Sequence, residues 1–154
     1  MAFRITGLSP EPFRALFALS DEELAARGAR RVVADGPGFP ERIGLREAAV
    51  GETLLLVNFT HQPADNPFRA AHAIFVGERS HEAYDGTNVV PEVLRSRLIS
   101  LRAFDGDDMM VDADVVDGKQ LESAIGRMFA SPGVAYLQAH FAKRGCYAAR
   151  VERA

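Results

Sequence analysis

ETLLLVNFTH-QPADNPFRAA-HAIFVGE, residues 52–78, is the stretch on which the fold turns. Leu54, Leu55, Leu56 and Val57 follow one another without a polar break, and Phe59 resumes the run after Asn58. A strand wet on one face alternates apolar and polar side chains, so an unbroken run marks a strand covered on both faces. Ala73–Val76 repeats the pattern. The connection at 62–71, with Pro63 and Pro67, is long for a hairpin turn but ordinary for a surface loop. Strands 52–60 and 72–78 are therefore expected to be neighbours in the middle of a sheet, since an edge would leave such a run exposed.

Working outward, FRITGL (3–8) reads as a strand, and Ser9-Pro10 opens a helix with Phe13, Leu16 and Phe17 at helical spacing. Ser20 and Glu23 have the spacing of a capping box, in which each side chain satisfies the other's backbone N–H. The short helix that follows ends at Gly28. ARRVVAD is a strand and DGPGFP a loop. ERIGL is expected to be another strand and LREAAVGE a brief helical turn. RLISLRAF and DMMVDADVV form a pair around DGD. KQLESAIGRMFA places Leu121, Ile125, Met128 and Phe129 on one helical stripe, stopped by Ser131-Pro132-Gly133. The count is about seven or eight strands and three or four short helices without βαβ alternation. That predicts an α+β protein: one domain over 1–154, with a mixed, mostly antiparallel sheet.

VAYLQAHFA and CYAARVERA close the chain as a hairpin around Lys143-Arg144-Gly145. A three-residue loop with Gly145 at positive φ brings the apolar faces of the two strands together. Alternation then puts Leu137, Ala139 and Phe141 with Tyr147, Ala149 and Val151. His140 falls on the opposite face with Gln138, Arg150 and Cys146.

At 154 residues, with 47% apolar and 25% charged side chains, the chain can bury roughly 68–70% of its unfolded surface. Disorder requires less hydrophobicity and more net charge. A net charge of −3 argues against nucleic acid, whose binders carry a basic excess. MAFRITGLSPEPF lacks the long apolar core of a secretory signal, and no run approaches the roughly 18 apolar residues of a membrane span. A cytoplasmic protein with no membrane partner is expected. Cys146, the single cysteine, excludes an internal disulfide and a four-thiolate zinc site.

Four pieces, GFP-R at 38–42, HQPADNPFRAAHAIFV, LRAFDGDDMMVDADVVDG and GCYAARVERA, occur in this order. By them the whole chain resembles a bacterial family of unknown function, DUF1203. The resemblance implies a small, stand-alone soluble protein and supplies no activity. The family pattern often has a cysteine after the GFP proline and an asparagine after the last histidine. Here Glu41 and Phe141 stand in those places.

Candidate chemistry gathers at the 62–71 connection. His61 and His72 stand at its edges with Arg69 between them, all expected on one rim of the sheet, where loops held by rigid strands concentrate binding groups. Arg offers a planar fork for carboxylate or phosphate, and His exchanges protons near neutral pH. His72 and His140 are the candidate catalytic residues. His61, Arg69 and Tyr147 are the candidate ligand-binding residues, around a small anionic ligand with no cofactor. The plainer reading is that Arg69 pairs with Asp65 and the histidines hydrogen-bond at sheet ends. Cys146 follows a basic turn, which suits a nucleophile, yet lone cysteines are commonly small buried hydrophobes. Asp112 and Asp114 have spacing for a hard cation, but no EF-hand order surrounds them, and a solvated, charge-blunted hairpin is the preferred account. Three function classes follow: an anion-binding or enzymatic pocket lined by His and Arg, a metal-dependent hydrolase, and a non-catalytic interaction module. The first is preferred. Since one cysteine and dispersed histidines supply no recognised ligand framework, elemental analysis of dialysed protein is expected to find no stoichiometric zinc.

Overall fold

The computed structural model describes residues 1–154. The chain opens with β1 (Phe3–Thr6), α1 (Glu11–Arg14), a 3-10 turn at Ala15–Ala18, and α2 (Asp21–Ala26). β2 (Arg30–Val33) leads to two-residue strands, β3 (Pro40–Glu41) and β4 (Arg46–Glu47). β5 (Thr53–Gln62), β6 (Ala70–Gly77) and β7 (Asp85–Thr87) follow. Then come α3 (Glu92–Arg95), β8 (Leu98–Phe104), β9 (Met110–Asp117) and α4 (Leu121–Phe129). β10 (Tyr136–Phe141) and β11 (Cys146–Arg153) complete the chain. The α+β class holds, but the strands divide between two sheets. Their orders are β7-β1-β11-β10-β8-β9 and β2-β5-β6-β3-β4.

β5 and β6 are antiparallel neighbours inside the five-stranded sheet, as their composition requires. Leu54 and Leu55 point to opposite faces and both are wholly buried. Leu55 packs with Val57, Ile74 and Val76 against Phe13 and Leu24 of the helical segment, while Leu54 meets Ala34 and Ala48 on the other side. Double burial stops at Asn58, beyond which exposed and covered positions alternate. LREAAVGE is not helical. Arg46–Glu47 pairs with Pro40–Glu41, in strands too short to carry a period-two signal.

Local signals elsewhere act as their chemistry dictates. The Ser20–Glu23 capping box forms, with Ser20 Oγ accepting from Glu23 N at 3.1 Å. Gly28, at φ 69°, ends α2 with its N–H on Ala25 O. The α4 stripe, with Ala124 added, is buried beneath the six-stranded sheet in a core of 22 residues. The side chains of Asp112 and Asp114 lie on the edge strand β9, where charge discourages further strand pairing. No helix is long and apolar enough to cross a membrane.

The terminal hairpin departs from its expected faces. Gln138 stands opposite Arg150 and Ala139 opposite Ala149, but His140 then pairs with Tyr147 and Phe141 with Cys146. Ala148 is the extra residue of a bulge, and one extra residue inverts the alternation beyond it. Tyr147 thus shares the face of Gln138 and His140, while Cys146 joins Phe141 in the apolar core. Gly145 takes the expected positive φ, 76°, although the turn runs over 142–145, one residue longer than expected.

Burial of Leu55 on a central strand makes it intolerant of charge. Leu55→Asp is expected to cost about 4 kcal/mol or more, because an unpaired carboxylate there loses its hydration without gaining a partner. Urea unfolding followed by circular dichroism checks this; a wild-type midpoint would contradict the packing described.

Candidate functional site

Two bulges build a cluster of aromatic and amide side chains between the sheets. The first lies at His61, where β5 slips by one residue between Thr60 and Gln62. The second is the Ala148 bulge. Together they aim His61 from one sheet at His140 and Tyr147 from the other. The His61 ring stacks on Tyr147, with centroids 5.5 Å apart and planes 8° from parallel, and meets His140 edge-on at 4.8 Å. Gln138 ties the cluster together. Its Oε1 lies 2.9 Å from His61 Nδ1 and 3.0 Å from His140 Nε2, and its Nε2 donates to His61 O at 3.0 Å.

His140 is fully buried. Burial, reinforced by the positive charge of Arg102, drops its pKa from 6.5 to about 3. Burial lowers His61 as well. Both rings are therefore neutral at pH 7. His140 Nδ1 faces Gly145 O at 3.2 Å and Nε2 faces Gln138 Oε1. A neutral imidazole carries one N–H, so it donates to one of these oxygens at a time. Tyr147, with burial the largest cause, is held protonated far above neutral pH. In this state the cluster is an uncharged seam joining the sheets.

The other predicted residues part company. His72 is half-buried, with Nδ1 3.1 Å from Ala73 O, and lines a neighbouring cleft. It remains close enough for its charge to depress both His61 and His140. Arg69 joins neither the cluster nor the cleft, so the single pocket expected of His61, Arg69 and His72 is not formed. Its Nη1 donates to Pro63 O at 2.7 Å, so the guanidinium closes its own exposed loop. Asp65 is not its partner. The loop is fixed by Asn66, whose Oδ1 accepts from Phe68 N at 2.8 Å and whose Nδ2 donates to Asp108 O at 3.0 Å.

The cleft lies between the sheets and has a volume of about 680 Å³. Arg42, Arg97, Lys143, Arg144 and His72 contribute to its wall, and no Asp or Glu does. Arg42 is only 2% exposed. Its Nε donates to Tyr147 O at 2.8 Å, Nη2 to Cys146 Sγ at 3.1 Å, and Nη1 to Pro40 O. Burial lowers its pKa to about 10, which leaves it charged at neutral pH. Arg42 and Arg97 both lie over the Phe141 ring, 4.8 and 5.2 Å from its centre. Arg97 also pairs with Glu47. Lys143 and Arg144 are exposed on the hairpin turn at the mouth. In the sequence those two stand out as the hairpin turn and as neighbours of Cys146. Arg42 stands there only as the last letter of a motif, and Arg97 carries no signal.

No group of three or more His, Cys, Asp or Glu side chains is placed to share a metal ion. The acidic turn at 105–108 is built on its own backbone: Asp105 Oδ1 accepts from Asp107 N and Met109 N, and Asp114 pairs with Arg127 at 2.5 Å.

Burial of a neutral His140 carries a pH signature. The unfolded chain takes up a proton at this residue as pH falls through about 6.5, whereas the native state resists until about 3. Its contribution is present above 6.5 and lost progressively below it. Between pH 6.5 and 5, wild type is expected to lose about 1–2 kcal/mol more stability than His140→Gln. Urea titrations of both proteins at the two pH values measure this, and equal losses would contradict a proton-excluded ring.

A family model described as "Protein of unknown function (DUF1203)" matches residues 38–153, which hold the cleft, the histidine cluster and most strands of both sheets. Nothing matches among curated proteins or among solved structures. The match covers well over half of the sequence, and the chain belongs to the DUF1203 family.

Proposed function

We propose that the protein binds a small organic anion in the cleft between its two sheets, as a ligand-binding protein or as an enzyme acting on that anion. The observation that carries this reading is the sign of the wall: four Arg or Lys side chains and His72, without one carboxylate, in a chain of net charge −3. A concave site lined by one sign of charge focuses field and concentrates the oppositely charged ligand. Its volume falls in the range of metabolite pockets, roughly 300–1,000 Å³. The anion is held by Lys143 and Arg144, with Arg42 and Arg97 fixed behind them and His72 as the group able to exchange a proton with it. Arg69, first expected to grip the ligand, has no part in this site.

A thermal-shift screen of anionic metabolites tests the proposal. A ligand at a hundred times its Kd is expected to raise Tm by about 5–10 °C. Lys143→Glu with Arg144→Glu should keep the ligand-free Tm within about 2 °C, as exposed substitutions do, and lose the shift. Arg69→Ala should retain the shift. If no anion moves the wild type, the cleft is not a metabolite site and the interaction-module reading takes its place.

A further inference from the structure

Resting on the anion-binding reading, we infer that the ligand class is amphipathic: an apolar body lying on the inner wall, with a carboxylate or phosphate monoester held at the mouth by Lys143 and Arg144. Two features of the cleft divide the work this way. Its cations are not equivalent. Arg42 is committed to two carbonyls, the Cys146 sulfur and the Phe141 ring, and Arg97 to Glu47, Val93 O and the same ring. Lys143 and Arg144 are exposed at the turn and are the cations left to meet a headgroup.

Behind them the wall is hydrocarbon. Phe39 and Phe75 pack ring against ring, with centroids 5.3 Å apart. Leu56, which pairs with Phe75, and Phe141 continue the surface. At its edge stands Leu98, 46% exposed at the start of a strand whose other apolar residues are mostly buried. A free inorganic anion would be many times smaller than about 680 Å³ and would leave this wall wet. A neutral hydrocarbon would leave the two cations without a partner. A molecule with both parts satisfies both surfaces.

Isothermal titration at neutral pH with decanoate, decyl phosphate, decanol and inorganic phosphate decides the matter. Decanoate and decyl phosphate are expected to bind, decanol at least tenfold more weakly, and inorganic phosphate without detectable heat at the same concentration. Lys143→Ala with Arg144→Ala should weaken decanoate at least tenfold. Leu98→Ser, at an exposed position, should weaken it severalfold while leaving the unfolding temperature unchanged. If inorganic phosphate binds as tightly as decyl phosphate, the amphipathic inference is overturned while the anion reading stands. If decanol matches decanoate, or the double variant binds decanoate like wild type, the anion reading itself fails. Absence of binding by any tailed probe overturns the inference and leaves the metabolite screen to decide the broader reading.

Discussion

The guanidinium of Arg42 has no carboxylate within the inner space it occupies, and the arrangement of the two sheets depends on how it is satisfied. Removing a charge from water costs several kcal/mol unless fixed dipoles replace the lost hydration. Here the replacements come from both sides. Pro40 O belongs to the five-stranded sheet, while Tyr147 O, Cys146 Sγ and the face of Phe141 belong to the terminal hairpin of the six-stranded one. Separating the sheets would strand a buried cation, so the charge acts as a geometric constraint. It fixes where β3 meets the hairpin and thereby fixes the depth of the cleft.

A second buried charge acts on the other side of the same short segment. Glu41 is 1% exposed, and its carboxylate accepts from Ile43 N at 2.8 Å, Gly44 N at 2.5 Å, Gly77 N at 3.2 Å and Ser80 Oγ at 2.6 Å. A Cβ at Gly44 would lie 2.7 Å from Glu41 Oε1, so glycine is what lets that N–H come so close. Arg46 stands nearby, held mainly by buried Glu52 at 2.5 and 2.9 Å. The Arg46 hydrogen bond in turn pulls the Glu52 carboxyl below its ordinary range. Successive residues of extended chain point to opposite sides. Glu41 therefore fastens β3 to β6 and to the turn before β4, and Arg42 fastens it to the hairpin. A two-residue strand has too few ladder bonds to hold itself, and these two ions hold it.

Legibility in the sequence follows the range over which each structure is determined. β5, β6, the capping box at Ser20 and the stripe of α4 are set by patterns within about a dozen residues, and a reader of the sequence finds them. Two-residue strands have no period. A bulge is one residue in a chain, yet it decides which face every later side chain occupies. That is why His61, His140 and Tyr147 could be grouped at one site by type while the contacts among them could not be read: those need both the His61 and the Ala148 bulges. Arg69 falls outside the pocket expected for it for a different reason. Its nearest acceptor, Pro63 O, is a backbone atom of its own loop, and side-chain identities do not advertise backbone acceptors. Arg97 reaches the cleft through the antiparallel pairing of β8 with β10 of the hairpin, a contact distant in sequence and without a local mark.

Glu41 and Phe141, residues from opposite sheets, both act on Arg42. Phe141 places the negative face of its ring beneath the guanidinium at 4.8 Å, and Glu41 adds a negative charge on the neighbouring residue. Each favours the charged form against the desolvation that lowers the Arg42 pKa. Phe141 also faces Arg97. The same ring thus steadies two like charges that would otherwise repel across the cleft. Arg42 and Arg97 are consequently spent on holding the wall, whereas Lys143 and Arg144, exposed on the turn between β10 and β11, have no such task.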